Sequence, residues 1–122
     1  MARLLVIDDE ANIRLLYAQE LGDDGYEVVS AATVKEALQR LDEQPFDLVI
    51  LDIKLKSESG LDLLQQIVRE RHNLPVILCS AFSCYTDDFS AWLADGYVVK
   101  SSNIEDLKAE ISKVLGKKSQ RG

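Results

Sequence analysis

Five short apolar runs recur along the chain, and polar or turn-forming residues bound each of them. They are Leu4–Ile7, Tyr26–Ser30, Leu48–Leu51, Val76–Cys79 and Tyr97–Val99. Short runs rich in Val, Ile and Leu are typical of strands that are buried on both faces of a parallel sheet. The pattern therefore predicts five strands in the interior of the protein.

Four of the segments around these runs place apolar residues three and four positions apart, which is the period of an amphipathic helix. These faces are Ile13, Leu16, Tyr17 and Leu21; Val34, Ala37, Leu38 and Leu41; Leu61, Leu64, Ile67 and Val68; and Ile104, Leu107, Ile111 and Val114. A shorter segment from Ser83 to Leu93 fits a fifth helix less well. Strands that alternate with helices in this way predict an α/β fold, with a doubly wound parallel sheet and helices on both faces.

Composition narrows the class of protein. The 122 residues are 47% hydrophobic and 29% charged, which suits a single globular domain. The net charge of −7 argues against broad nucleic-acid binding, because that function needs a basic surface. No apolar run is long enough to span a membrane, and no signal peptide is evident. We expect a cytoplasmic protein with no direct nucleic-acid or membrane partner.

Two smaller expectations concern the cysteines and the end of the chain. Cys79 closes an apolar run, so a buried free thiol is expected there. The segment after Gly116 is basic and polar. We therefore place the domain at residues 1–116 and a basic flexible tail at residues 117–122.

Polar residues directly follow four of the five apolar runs. Asp8 and Asp9 follow the first run, Asp52 the third, Ser80 the fourth and Lys100 the fifth. Ligands of open α/β sheets bind at the carboxyl ends of the strands, so these side chains are expected to converge at one edge. An Asp in such a position can also be a simple turn former, and we assign the neighbouring Glu10 to a helix start.

The chemistry of this set points to phosphoryl transfer. Carboxylates crowded together repel one another by roughly 4 kcal/mol at 4 Å, and a hard divalent cation such as Mg²⁺ relieves that repulsion. A carboxylate can attack phosphorus, while a metal ion and an ammonium group offset the charge of the phosphoryl oxygens. The sequence therefore predicts a Mg²⁺-dependent site in which Asp52 accepts a phosphoryl group.

The same residues resemble a known family over nearly the whole chain. The matching motifs are Leu4–Glu10, Asp47–Asp52 with Gly60 eight positions later, Pro75–Ala81 and Ala94–Lys100. In order and spacing they resemble the CheY-like receiver domains of two-component response regulators. The resemblance implies a (βα)5 flavodoxin-like sandwich with strand order 2-1-3-4-5. It also implies a switch that assists its own phosphorylation and dephosphorylation but turns over no separate substrate.

The resemblance further implies a metal-binding role for particular positions. Asp52 would take its phosphoryl group from a sensor histidine kinase or a phosphotransfer protein. Asp9 and Asp52 would bind Mg²⁺ directly, together with the backbone carbonyl of Lys54, and Mn²⁺ could substitute. Asp8 would position the ion largely through water.

The remaining positions would read out the phosphorylation. Lys100 would pair with the phosphate, Ser80 would move toward it, and Tyr97 would swing inward to fill the space that is vacated. These movements would alter the surface formed by the fourth helix, the fifth strand and the fifth helix of the family pattern. A downstream effector protein or an output domain would dock there.

Departures from the family pattern keep alternatives open. Ser101 stands where a proline usually follows the lysine, and Leu55-Lys56 replaces the usual Met-Pro. An interaction module that works without phosphorylation on the same fold is therefore the alternative function. A Mg²⁺-dependent phosphohydrolase is a weaker reading, because Lys54 occupies the position where such enzymes carry an acid–base carboxylate.

Overall fold

The structure, a computed structural model, describes residues 2–55, 58–71, 73–80, 94–99 and 103–121. The strands, in chain order, are β1 (Arg3–Ile7), β2 (Glu27–Ala31), β3 (Leu48–Asp52), β4 (Lys54–Leu55), β5 (Glu58–Ser59), β6 (Val76–Ser80) and β7 (Gly96–Val99). The described helices are α1 (Ala11–Asp23), α2 (Val34–Glu43), α3 (Gly60–Glu70) and α4 (Ile104–Arg121). Each of the five predicted strands is present, with its bounds shifted by at most one residue.

Five of the strands form one parallel sheet in the order β2-β1-β3-β6-β7. Counted along the chain without the short β4 and β5, this is the predicted order 2-1-3-4-5. The flavodoxin-like α/β fold is therefore confirmed, with β3 at the centre of the sheet. The predicted helix from Ser83 to Leu93 lies outside the described residues.

Alternate residues of the strands supply two hydrophobic cores. Leu5, Leu51 and Leu78 point to the side of the sheet covered by α2 and α3. Leu4, Ile50 and Ile77 point to the side covered by α1 and α4. This alternation follows from the two-residue period of a strand, and it explains why β3 is buried along its whole length.

The helical faces predicted from periodicity are buried or partly buried, with one exception. Tyr17 and Leu21 of α1 pack into the core, but Leu16 is 42% exposed and its neighbour Leu15 is 60% exposed. The apolar stripe of α1 is broader than its contact with the sheet, so Leu16 falls outside that contact. Leu16 thus shares the predicted apolar face of α1 but is not part of the core.

Two further features concern the ends of elements. The helix α4 continues to Arg121 and so includes most of the segment that we predicted to be a flexible tail, while the boundary at Gly116 stays a prediction. Cys79 is buried and takes part in no disulfide, as expected. Among the described residues, no helix is both long and apolar enough to cross a lipid bilayer.

Candidate functional site

Two buried carboxylates lie at the carboxyl edge of the sheet. Asp8 is 1% exposed and Asp52 is 4% exposed, and within the described part of the chain they are the only buried charged residues. Burying a charge is costly unless it is compensated, so such groups commonly serve a function. Asp8 directly follows β1 and Asp52 ends β3, so both lie where the sequence pattern placed them.

Strand register brings these two carboxylates together. The paired strands β1 and β3 align Ile7 with Leu51, and Asp8 and Asp52 are the next residues along each strand. Neighbouring strands are about 4.8 Å apart, so their side chains on the same face are adjacent. On its other side Asp52 is aligned with Cys79, one residue before Ser80. The central position of β3 thus sets Asp52 in the middle of the edge.

The loop between β1 and α1 adds two more carboxylates. Carboxylate oxygens of Asp8, Asp9 and Glu10 all lie within 4.8 Å of one another. The backbone N–H of Glu10 donates to Oδ1 of Asp8 at 2.9 Å, which folds the loop back over the strand end. Glu10 begins α1 as its N-cap residue, as predicted, but its side chain makes no capping hydrogen bond. The part that its carboxylate plays in the cluster was not foreseen.

An all-oxygen cluster of this kind suits a hard divalent cation. Mg²⁺ prefers carboxylate, carbonyl and water oxygens, and it commonly keeps several waters. The cluster of Asp8, Asp9 and Glu10, next to the buried Asp52, supplies oxygen donors on two adjacent strand ends. The donor set therefore fits Mg²⁺.

The connection after β3 is held close to Asp52. The backbone N–H of Gly60 donates to the carbonyl of Ile53 at 2.8 Å, and the N–H of Ile53 donates to the carbonyl of Cys79 at 3.0 Å. A Cβ atom at Gly60 would overlap the backbone carbonyl oxygen of Asp52 and would come within 2.8 Å of the carbonyl oxygen of Ile53. Only glycine allows the start of α3 to pack against this backbone, which explains the spacing between Asp52 and Gly60.

A short antiparallel ladder also belongs to this connection. Lys54 is aligned with Ser59, and Leu55 with Glu58. The backbone of Lys54, which was predicted to offer a carbonyl to the metal ion, is therefore part of a hairpin. Two-residue strands give no periodic signal in the sequence, so the hairpin was not predicted.

The other predicted site residues are only partly described. Val99 ends β7 and is aligned with Ser80 at the end of β6, so the fourth and fifth strand ends meet as expected. Tyr97 is half-buried and packs against the core on the side of α2 and α3. Lys100 lies outside the described residues, as do the side chains of Lys54 and Ser80.

One contact at the site was not predicted. Arg14, in the first turns of α1, donates from Nη1 to the backbone carbonyl oxygen of Asp8 at 2.7 Å. A charged residue on an amphipathic helix ordinarily reads as solvent-exposed, and its reach to a backbone carbonyl depends on the shape of the loop. No signal in the sequence identified this contact.

Comparison with known proteins assigns the family. Residues 4–112 match the response regulator receiver domain family. The chain is 33% identical to the two-component response regulator PhoP of Pseudomonas aeruginosa over 119 residues, which is 96% of this chain and 53% of that protein. It thus spans about half the length of the curated relatives that it matches.

Solved structures agree with this result. The response regulator protein TrrA of Thermotoga maritima, in complex with Mg(2+)-BeF, has a TM-score of 0.89 and 44% sequence identity, covering 93% of this chain and 99% of that one. A second structure holds TrrA in complex with the histidine kinase ThkA, and it matches with a TM-score of 0.87 and 44% identity, covering 94% and 99% of the two chains. Fold, site and relatives agree, and the chain belongs to the receiver domain family of two-component response regulators.

Proposed function

We propose that the chain is a phosphorylation-dependent switch in which Asp52 accepts a phosphoryl group from the phosphohistidine of a sensor kinase. The observation that carries this proposal is the burial of Asp52 beside Asp8 at the carboxyl edge of the sheet. A buried carboxylate at the centre of this edge combines a nucleophilic oxygen with neighbours that bind a cation.

The transfer itself balances without a further reactant. A carboxylate oxygen of Asp52 forms a bond to phosphorus while the P–N bond of the phosphohistidine breaks. The electron pair of that bond stays on the imidazole nitrogen. The ring leaves as neutral histidine, because its other nitrogen carries a proton. Asp52 then holds an acyl phosphate that water can hydrolyse.

Bound Mg²⁺ would offset the negative charge of the phosphoryl oxygens. Asp9, Asp52 and the backbone carbonyl of Lys54 would hold the ion directly, and Asp8 would act through water. The cluster of carboxylate oxygens within 4.8 Å in the β1–α1 loop supports this assignment. The similarity to TrrA, whose structure contains Mg(2+)-BeF, supports it as well.

Three further residues complete the proposed switch. Lys100 directly follows Val99 in the sequence, and Val99 is aligned with Ser80 at the end of the neighbouring strand, which supports assigning both residues to the switch. Lys100 would pair with the phosphate and Ser80 would hydrogen-bond to it. Tyr97, now half-buried in β7, would move inward when Ser80 shifts. The surface that contains β7 and α4 would change with it.

The proposed partners follow from the same reasoning. A sensor histidine kinase or phosphotransfer protein would supply the phosphoryl group, as the complex of TrrA with ThkA supports. A downstream effector or an output domain would read the altered surface. The chain would act as a signalling protein with no separate substrate.

The proposal is tested by measuring the intact mass of the protein after incubation with acetyl phosphate and Mg²⁺. We expect the wild type to gain the mass of one phosphoryl group and Asp52→Asn to gain none, because the variant lacks the nucleophilic carboxylate. Removing Mg²⁺ with a chelator should abolish the adduct. Asp62→Asn is the matched control, since Asp62 is exposed on α3.

Two results would contradict the proposal. One is a wild type that gains no phosphoryl group, and the other is an unchanged adduct in Asp52→Asn. Partner binding that is equal for the phosphorylated and unphosphorylated protein would favour the interaction module that works without phosphorylation.

A further inference from the structure

Arg14, on α1, spans the acidic loop that joins β1 to α1 and contacts the strand end. The loop joins the end of β1 to the start of α1 through Asp8, Asp9 and Glu10. From α1, Nη1 of Arg14 reaches back to the carbonyl oxygen of Asp8 and donates a hydrogen bond of 2.7 Å. The contact is partly buried. A hydrogen bond from a charged guanidinium in such a place is stronger than one between neutral groups.

With this contact, Asp8 is fixed at three points. Its backbone N–H donates to the carbonyl of Ala31 in β2 at 3.1 Å, which extends the pairing of β1 with β2. Its Oδ1 accepts from the N–H of Glu10 at 2.9 Å. Its backbone carbonyl accepts from Arg14. The direction of the Asp8 side chain is therefore set by the sheet, by the loop and by the helix.

The loop has a physical reason to open if it is not held. Its three carboxylates lie within 4.8 Å of one another, so they repel one another before a cation binds. The start of α1 is not tied down by a side-chain cap from Glu10. The guanidinium of Arg14 links the helix to the strand across this loop, and it also brings a positive charge close to the carboxylates.

We infer that Arg14 is a positioning residue of the phosphoryl-acceptor site. By holding the carbonyl of Asp8, it keeps the carboxylates of Asp8 and Asp9 directed to the edge where Asp52 lies, so that a divalent cation finds its ligands in place. This inference rests on the proposed function of Asp52. It assigns Arg14 a role in binding the cation and no contact with the phosphoryl group.

The direction in which the affinity for Mg²⁺ changes when Arg14 is replaced distinguishes a positioning role from two alternatives. A positioning residue raises the affinity for Mg²⁺, so its loss weakens binding. A positive charge that merely competes with the cation lowers the affinity, so its loss strengthens binding. A residue that only stabilises α1 changes the free energy of unfolding and leaves the affinity of the folded protein unchanged.

The experiment titrates Mg²⁺ into the protein by calorimetry and measures the rate of phosphorylation by acetyl phosphate as a function of Mg²⁺ concentration. In Arg14→Met, the Kd for Mg²⁺ should rise about tenfold, at the lower end of the effect of residues that orient metal ligands. The Mg²⁺ concentration for half-maximal rate should rise in parallel, and the maximal rate should change less. Arg14→Lys keeps a charged donor and should lie between the wild type and Arg14→Met.

Arg71→Met is the matched control. Arg71 donates from Nη2 to Oδ1 of Asp42, also at 2.7 Å, but it follows α3 at the opposite edge of the sheet. The substitution removes the same charge and a hydrogen bond of the same length, so it reports the effect of losing such an arginine away from the site. We expect its affinity for Mg²⁺ to equal that of the wild type.

The remaining outcomes contradict either the role of Arg14 or the proposed function of Asp52. Unchanged or tighter Mg²⁺ binding in Arg14→Met, beside a normal wild type, overturns the role of Arg14 and leaves the proposed function standing. A wild type that binds no Mg²⁺ overturns both. If Arg14→Met does not fold, Arg14→Gln takes its place: weaker Mg²⁺ binding in Arg14→Gln supports the positioning role, and wild-type affinity in that variant overturns it.

Discussion

At the scale of single residues, Asp8 and Asp52 bury two carboxyl groups side by side, and burying charge is costly unless it is compensated. Each is almost completely buried, and register sets them on adjacent strand ends. Such an arrangement lowers stability in the absence of a cation and is typical of sites at which stability is exchanged for function. The same repulsion makes the edge receptive to Mg²⁺.

Asp8→Asn should therefore stabilise the protein in the absence of Mg²⁺. The amide oxygen can still accept from the N–H of Glu10, while one buried charge is removed. We expect the free energy of unfolding, measured with urea, to rise by about 1–3 kcal/mol, which is part of the repulsion between charges roughly 5 Å apart. Mg²⁺ should stabilise the wild type more than this variant, because Asp8 would hold the ion only through water.

Asp23→Asn is the control for this change. Asp23 is exposed at the end of α1, so its neutralisation should alter the free energy of unfolding by less than about 0.5 kcal/mol. A variant at Asp8 that is no more stable than the wild type would show that the carboxylate is compensated in the absence of Mg²⁺.

At the scale of elements, the connection from β3 to α3 determines how closely the chain approaches Asp52. Gly60 begins α3 and packs against the backbone of Asp52 and Ile53. The hairpin of β4 and β5 closes the same connection. These contacts fix the backbone on one side of Asp52, and the hydrogen bond from Arg14 fixes the backbone of Asp8 at the end of the neighbouring strand.

Gly60→Ala should disturb this connection. The added methyl group would overlap the carbonyl oxygen of Asp52, so backbone has to move rather than a flexible side chain. We expect the free energy of unfolding to fall by about 1–3 kcal/mol or more, as for other overpacked sites. Acetyl phosphate should also label the variant more slowly, because the movement displaces Asp52.

Gly116→Ala provides the comparison. Gly116 lies within α4, and a Cβ atom there would meet nothing within 4 Å. Alanine in a helix interior is favoured over glycine by up to about 1 kcal/mol, so this variant should be slightly more stable than the wild type. Equal stability of the two alanine variants would refute the close approach at Gly60.

The sequence predicted the elements that have a strong period and missed those that have none. The strand Leu48–Asp52 and the helix Gly60–Glu70 carry enough buried apolar residues to be recognised. The hairpin strands Lys54–Leu55 and Glu58–Ser59 are too short for the two-residue period of a strand to appear in the sequence. Leu16 was placed on the apolar face of α1 because its spacing fits, but spacing alone does not tell how much of that face the sheet covers.

At the scale of the whole molecule, topology explains why the site could be predicted at all. Parallel strands direct their carboxyl ends to one edge, so Asp8, Asp9 and Asp52 could be brought together from their places in the sequence. The contact of Arg14 and the carboxylate of Glu10 could not be predicted in this way. Both depend on the path of a three-residue loop and on side-chain torsions that no pattern of apolar residues encodes.

The central claim is that Asp52 itself becomes an acyl phosphate. Borohydride reduces an aspartyl phosphate to homoserine, so the protein can be phosphorylated with acetyl phosphate and Mg²⁺, reduced, and mapped by peptide sequencing. We expect homoserine at position 52 and aspartate at positions 8 and 9. Homoserine at position 8 or 9, or no homoserine in a wild type that is folded and saturated with Mg²⁺, would contradict it.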